Sequence, residues 1–293
     1  RDTRDLLMSA SKAHVTGCDS QWQNVGKIRN SGIELSLNST NFNTTGGFVW
    51  TTNFNISFIR NELRALADGA GVMYATAGWN SEYKGYDYMA AVGSSLGQIY
   101  GYEFDGVYQD SDFMVDAATG KMTLKPGIPD ISDHAGREVV PGMVKYRDVD
   151  GDGVITTNDR TAIGNGVPKW FGGITNTFSY KGFDLSFMFQ FNYGNDIYNA
   201  TRMFASQSQD QRSNMMAEVA ERWTPTNASN SVPAWDGYIK NELYSRFVED
   251  GSFLRLKTLT FGYTFPKSWT QKFYVSKLRL YFSAQNLFVV TGY

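Results

Sequence analysis

The chain has 293 residues, a formal net charge of −2 and 15% aromatic residues. That balance gives no general pull toward nucleic acid, and the single cysteine, Cys18, excludes a disulfide framework and a cysteine-based zinc site. No run of ~18 apolar residues exists, which excludes a transmembrane helix but not a membrane, because transmembrane strands are short and alternating.

In chain order, Asp5 to Ala10 is a short strand candidate, followed by a polar loop with Gly17 and Cys18. From Lys27 to Thr40 the residues alternate, with Ile33, Leu35 and Leu37 on one side and Glu34, Ser36 and Asn38 on the other. Asn43 to Gly47 is a turn by composition. The return strand sets Phe48, Trp50, Phe54, Ile56 and Phe58 against Thr51, Asn53, Asn55 and Ser57. Alternation of this length means that one face meets apolar material and the other meets water.

Residues 61–169 read as a long excursion that closes on an acidic loop at 148–159. An aromatic hairpin follows, Trp170–Tyr180 and Phe183–Tyr193, turning at Lys181-Gly182. Residues 200–251 form a second long loop, in which Ser213 to Trp223 has the spacing of a helix. Leu254 to Phe265 is a strand whose Leu254 and Leu256 have the opposite parity to Leu259 and Phe261, the signature of a bulge or of a strand leaving the apolar layer. Pro266 to Lys277 is a connection, and Leu278 to Val290 is the last strand.

The expected fold class is therefore all-β, with about seven antiparallel strands, short turns at one end and long loops at the other. That is the arrangement of an outer-membrane barrel. A soluble β-sandwich also alternates. Its polar face is normally rich in Lys and Glu, whereas these faces carry Asn, Ser, Thr, Gln and Gly, which suit a confined watery lumen. The direction of the Phe183-to-Tyr193 face separates the two: outward along one belt in a barrel, onto a second sheet in a sandwich.

Counted from Asp148, the acidic loop has calcium-loop spacing: Asp148, Asp150, Asp152, the Val154 carbonyl, Thr156 and Asp159 at positions 1, 3, 5, 7, 9 and 12, with Gly153 at the sharp turn. Calcium takes hard oxygen ligands, and four carboxylates in so short a loop supply most of a coordination shell. The flanks are not EF-hand helices, so the expected role is a structural Ca2+ clip. The alternative is an Asp/Gly-rich turn whose carboxylates accept backbone hydrogen bonds. Trp79, Tyr83, Tyr86, Trp235 and Tyr238 in the long loops are candidate substrate contacts that stack on sugar rings or grip a partner; loop packing is the competing role. Gly93-Ser-Ser-Leu-Gly97 matches the serine-hydrolase string, but no helix follows it. His14 and His134 have no ligand-spaced partner and read as surface loop residues. No nucleophile–base pair emerges, and the chain does not read as an enzyme.

Six segments resemble the C-terminal barrel half of SusC/RagA-type TonB-dependent transporters: 24–35, 97–102, the acidic loop with Ile163-Gly-Asn165, 176–185, 245–259, and Ala284-Gln-Asn-Leu-Phe288 with Thr291-Gly-Tyr293. They lie in family order over nearly the whole chain. The resemblance implies part of a 22-stranded transmembrane barrel in the outer membrane of a Bacteroidota-like Gram-negative bacterium. By it, the chain lacks the plug, the TonB box, the first strands and the last strand. It also implies a SusD-like surface lipoprotein as partner, TonB acting through the N-terminal region, and active import of oligosaccharides or, in some members, peptides. The competing class is a calcium-stabilised surface β-protein, an adhesin or glycan-binding module without transport.

Overall fold

The computed structural model describes residues 1–11, 20–66, 69–78, 85–207, 214–239 and 242–293, with the backbone alone for 5–11 and 20–25. Seven strands dominate: β1 (Asp2–Ser11), β2 (Ser20–Asn43), β3 (Val49–Ala65), β4 (Trp170–Tyr180), β5 (Phe183–Tyr193), β6 (Phe253–Thr264) and β7 (Arg279–Thr291). They pair in sequence order, all antiparallel, as one meander. Strand β3 continues to Ala65 because Lys27 to Asn30 of β2 keep pairing with it beyond the point where the excursion was expected to begin.

The turns at one end are short. Lys181 (φ 46°) and Gly182 (φ 89°) join β4 to β5, and two successive positive-φ residues give the turn whose twist suits a tight hairpin. A Cβ at Gly182 would also stand 2.6 Å from the Thr264 carbonyl oxygen. Both long excursions, 66–169 and 194–252, leave from the opposite end.

The register carries the alternation across the sheet. Leu37, Phe54, Ile174, Phe189, Leu256 and Phe288 form one continuous apolar row through six strands. On the reverse side, Asn38, Asn53, Thr175, Met188, Thr258 and Gln285 form the matching, mostly polar row. Lys257 explains the parity break. It is one extra residue between Leu256 and Thr258, which face the adjacent residues Phe189 and Met188 of β5. The bulge returns Leu254 and Leu256 to the apolar face.

That face is uncovered. Leu37 is 56% exposed and Phe183 48%, and neither buried core cluster contains a residue of the seven strands. A soluble domain seldom leaves a contiguous apolar patch of more than several hundred Å² in water. No second sheet packs on this face among the described residues, so the sandwich alternative fails and the aromatic face points outward.

The two excursions fold together. A four-stranded sheet is built from Val72–Ala75, Tyr88–Ala91, Gln98–Gly101 and Thr161–Asn165, and Phe104–Val107 pairs with Val144–Tyr146. The second excursion contributes the helix Ala200–Gln207 and a short ladder between Asp196–Tyr198 and Val248–Asp250. Its expected helix over 213–223 is instead a 3₁₀ turn at Ala217–Glu221, with Ser213 outside the described residues. Pro225 follows closely, and Trp223 is drawn into pairing with Val232 through its backbone N–H (2.8 Å).

Candidate functional site

The shared core of the excursions takes Tyr102, Tyr108, Phe113, Ile131, Met143, Val144, Tyr146 and Ile155 from the first, and Met203, Tyr238, Tyr244 and Phe247 from the second. Backbone hydrogen bonds stitch them together: Val144 N–H donates to Gly237 O and Ala234 N–H to Gly142 O, each at 2.8 Å. Glycines permit the closest approaches, since a Cβ at Gly237 would stand 2.1 Å from the Gly142 carbonyl oxygen and one at Gly101 2.4 Å from the Leu243 carbonyl oxygen. Within the second excursion Arg202 adds a polar tie, donating to Glu218 (2.6 Å) and Glu249 (2.8 Å), with Arg246 3.3 Å from Glu218. Burial pushes the Glu218 carboxyl up, but Arg202, the Ser206 hydroxyl and Arg246 outweigh it and leave it below the ordinary value.

The acidic loop lies on this body. Asp148 accepts from Gly151 N–H (2.7 Å) and Gly153 N–H (2.8 Å), and Asp152 accepts from Val154 N–H (2.8 Å). This curl brings one carboxylate oxygen from each of Asp148, Asp150 and Asp152 within 4.8 Å of one another. The Gly153 and Gly151 N–H groups hold the Asp148 carboxyl below its ordinary value. Desolvation, reinforced by the charges of Asp152, Asp159 and Asp148, pushes Asp150 up. An oxygen-liganded divalent cation would relieve that repulsion.

Asp159 stands apart from the three. It is fully buried, and its two oxygens accept from Val149 N–H (2.8 Å) and Thr156 N–H (2.7 Å). It therefore closes the loop on itself, while the Thr156 hydroxyl accepts from Asn158 N–H (3.1 Å). Val154 bridges to Asp130, and the next residue, Ile155, is a core residue that anchors the loop.

The candidate aromatic contacts separate. Trp79 and Tyr83 lie outside the described residues. Tyr86 is exposed and stacks on Tyr74 (5.5 Å), whose ring also meets Tyr100 (4.8 Å), forming an aromatic ledge. Trp235 is exposed and makes no ring contact with Tyr86 among the described residues. Tyr238 lies in the shared core rather than at the surface. His134 is also not a surface residue: it is largely buried, 5.0 Å from the Tyr102 ring and 3.5 Å from Glu242. The residues that sequence reasoning missed as core are Tyr102, Tyr146 and Tyr244: Tyr102 ends the segment 97–102 that carries part of the resemblance, and no motif marks the other two.

A sequential antiparallel sheet with an uncovered apolar face, a polar reverse face, short turns at one end and folded loops at the other is part of the wall of a large membrane-type β-barrel. No family model matches the chain. It is 35% identical over 291 residues to TonB-dependent receptor P3 of Formosa agariphila, covering 99% of this chain and 27% of that protein. It is 25% identical over 298 residues to TonB-dependent receptor SusC of Bacteroides thetaiotaomicron, covering 100% of this chain and 26% of that protein. The RagAB peptide importer in its closed-closed state superposes with a TM-score of 0.73 at 26% identity, over 100% of this chain and 29% of that one. The open-open state gives 0.74 at 22% identity, over 100% and 28%. In sequence and fold this chain is similar to a stretch of TonB-dependent receptors of the SusC and RagA kind, and it spans little more than a quarter of the length of the relatives it matches.

Proposed function

We propose that the chain is barrel wall and outer vestibule of a receptor that imports a nutrient across a bacterial outer membrane, with the short turns on the periplasmic side. The observation that carries this reading is the two-faced wall: apolar rows outward, Asn, Thr, Ser and Gln inward. The inward face offers hydrogen bonds without fixed charge over most of its area, which suits a polar, neutral solute such as an oligosaccharide or a peptide backbone. The co-folded excursions, 61–169 and 200–251 as read from the sequence, stand outside the membrane as the platform on which a SusD-like lipoprotein would close. Energy would come through TonB acting on the N-terminal region of the whole protein. The Tyr74–Tyr86 ledge and Trp235 are the exposed aromatics placed to meet substrate. Ca2+ at Asp148, Asp150 and Asp152, with Val154 and Thr156 following in the curl, would act as a structural clip.

The test uses the full-length receptor in cells lacking their own copy. Asn53→Trp with Thr175→Trp fills the inward face at neighbouring positions. Uptake of fluorescent oligosaccharide or peptide should fall while the heat-resistant folded form on gels is kept. Unchanged uptake of both substrates would sink the import reading.

A further inference from the structure

The connection from β6 to β7, residues 265–278, is the longest of the short-end connections and differs from the others in composition. Its sequence, Phe-Pro-Lys-Ser-Trp-Thr-Gln-Lys-Phe-Tyr-Val-Ser-Lys-Leu, holds three lysines, no carboxylate and four aromatic rings. It is a folded element. Phe265 N–H donates to Leu278 O (3.0 Å), Val275 N–H donates to Thr270 O (3.1 Å), and Thr270 is buried beneath one helical turn, Lys267–Thr270.

The element turns its apolar groups out. Trp269 is 59% exposed, Phe273 78% and Tyr274 100%. Tyr274 also takes the left-handed backbone (φ 60°), a costly place for a bulky ring that packs against nothing within the chain. Lys267, Lys272 and Lys277 form no ion pair among the described residues. The acid nearest in the pairing, Asp184 of β5, is already bound by Arg279 at 2.6 Å. Lys181, in the neighbouring short turn, adds a further cation above the Tyr180 ring (5.1 Å).

The placement says what covers these rings. On the outward face, Phe183 meets Tyr263 (4.4 Å), Tyr263 meets Phe265 (4.9 Å) and Phe265 meets Trp269 (6.4 Å). The connection thus continues the lipid-facing aromatic belt beyond the end of the strands, to the level where headgroups begin. Trp and Tyr rings partition to that level, and lysine stems snorkel from it toward phosphate. We propose that residues 265–278 form a membrane-surface anchor that selects anionic phospholipid in the periplasmic leaflet, with Trp269, Phe273 and Tyr274 inserted and Lys267, Lys272 and Lys277 binding headgroup phosphates. This rests on the barrel reading above.

The full-length receptor, with Cys18 replaced by Ser, is labelled with an environment-sensitive fluorophore at Phe273→Cys, or at Phe187→Cys on the outward face of β5. Each is reconstituted into phosphatidylcholine vesicles with acyl-brominated lipid as quencher, with and without phosphatidylglycerol. The expected result is quenching at 187 in both membranes, and at 273 a blue shift and quenching that rise with phosphatidylglycerol. Lys272→Gln should lower the phosphatidylglycerol preference roughly fivefold. Quenching at 187 without quenching at 273 overturns the anchor and leaves the barrel standing, with a protein partner or water on that surface. Equal quenching at 273 in both membranes overturns the anionic selection. No quenching at either position overturns the barrel reading and the anchor together.

Discussion

Tyr102 of the first excursion and Tyr244 of the second meet in a parallel bridge. Tyr102 N–H donates to Leu243 O (2.8 Å), and Tyr102 O accepts from Ser245 N–H (2.9 Å). Tyr146 packs against both, stacked on Tyr102 at 4.7 Å and tilted against Tyr244 at 5.4 Å. The bridge joins two loops that the strand order alone would leave independent, and it is why they form one body.

Truncating Tyr244 should therefore release both loops together. Tyr244→Ala opens a cavity in a fully buried site and should cost about 3–5 kcal/mol in the stability of the loop body. Tyr244→Phe removes little more than the bond from Gln207 Nε2 (2.5 Å) and should cost about 1 kcal/mol. Hydrogen exchange reads the outcome: in Tyr244→Ala, residues 99–108 and 243–247 lose protection in concert while β3 to β6 keep theirs. Loss in the second loop alone would mean that the loops fold separately.

The same rings make the body sensitive to alkali. Burial pushes the hydroxyls of Tyr102, Tyr108, Tyr146 and Tyr244 above the ordinary tyrosine value, and that of Tyr238 up to about 12. Each of these groups has a folded value above its unfolded one, so the unfolded state loses its protons first. Their contribution is fully present below about pH 10 and is lost as pH rises through the folded values. Tyrosinate absorbance followed with near-ultraviolet circular dichroism should show the loop body melting above about pH 10, and Tyr238→Phe should delay the transition.

The wall was legible because period-2 alternation is a local signal: Ile33, Leu35 and Leu37 announce their face without reference to any partner. The loop body was not. Tyr102 and Tyr244 look like ordinary loop tyrosines, and only folding brings them together. The acidic loop falls between these cases. Spacing treats Asp148 and Asp159 alike, yet one joins a carboxylate cluster and the other is buried on backbone N–H groups.

That difference separates two variants. Asp159→Ala strands the Val149 and Thr156 N–H groups and should cost about 2–5 kcal/mol with or without metal. Asp150→Asn removes an exposed carboxylate crowded by its neighbours, so without metal it should be close to neutral. With Ca2+ it should lose most of the wild-type gain in loop stability. Limited proteolysis of 148–159 in Ca2+ and in chelator measures both. A wild-type loop equally resistant in the two conditions would remove the calcium clip.

The bulge at Lys257 gives a test of the wall itself. Lys257→Ala keeps the extra residue, so Leu254 and Leu256 stay on the outward face and the barrel should assemble normally. Deleting Lys257 removes the one residue of this stretch that has no partner on β5, so Leu256 and Thr258 become neighbours opposite Phe189 and Met188, and Leu254, Leu256 and Leu259 share the outward face by plain alternation. The face itself is tested by charge. Leu256→Arg places a cation in the outward row, where it costs about 2–4 kcal/mol near the bilayer midplane, and should sharply lower the heat-resistant folded fraction. Thr258→Arg, on the inward face, should leave that fraction little changed. Normal assembly of Leu256→Arg would mean that the outward apolar row does not meet lipid.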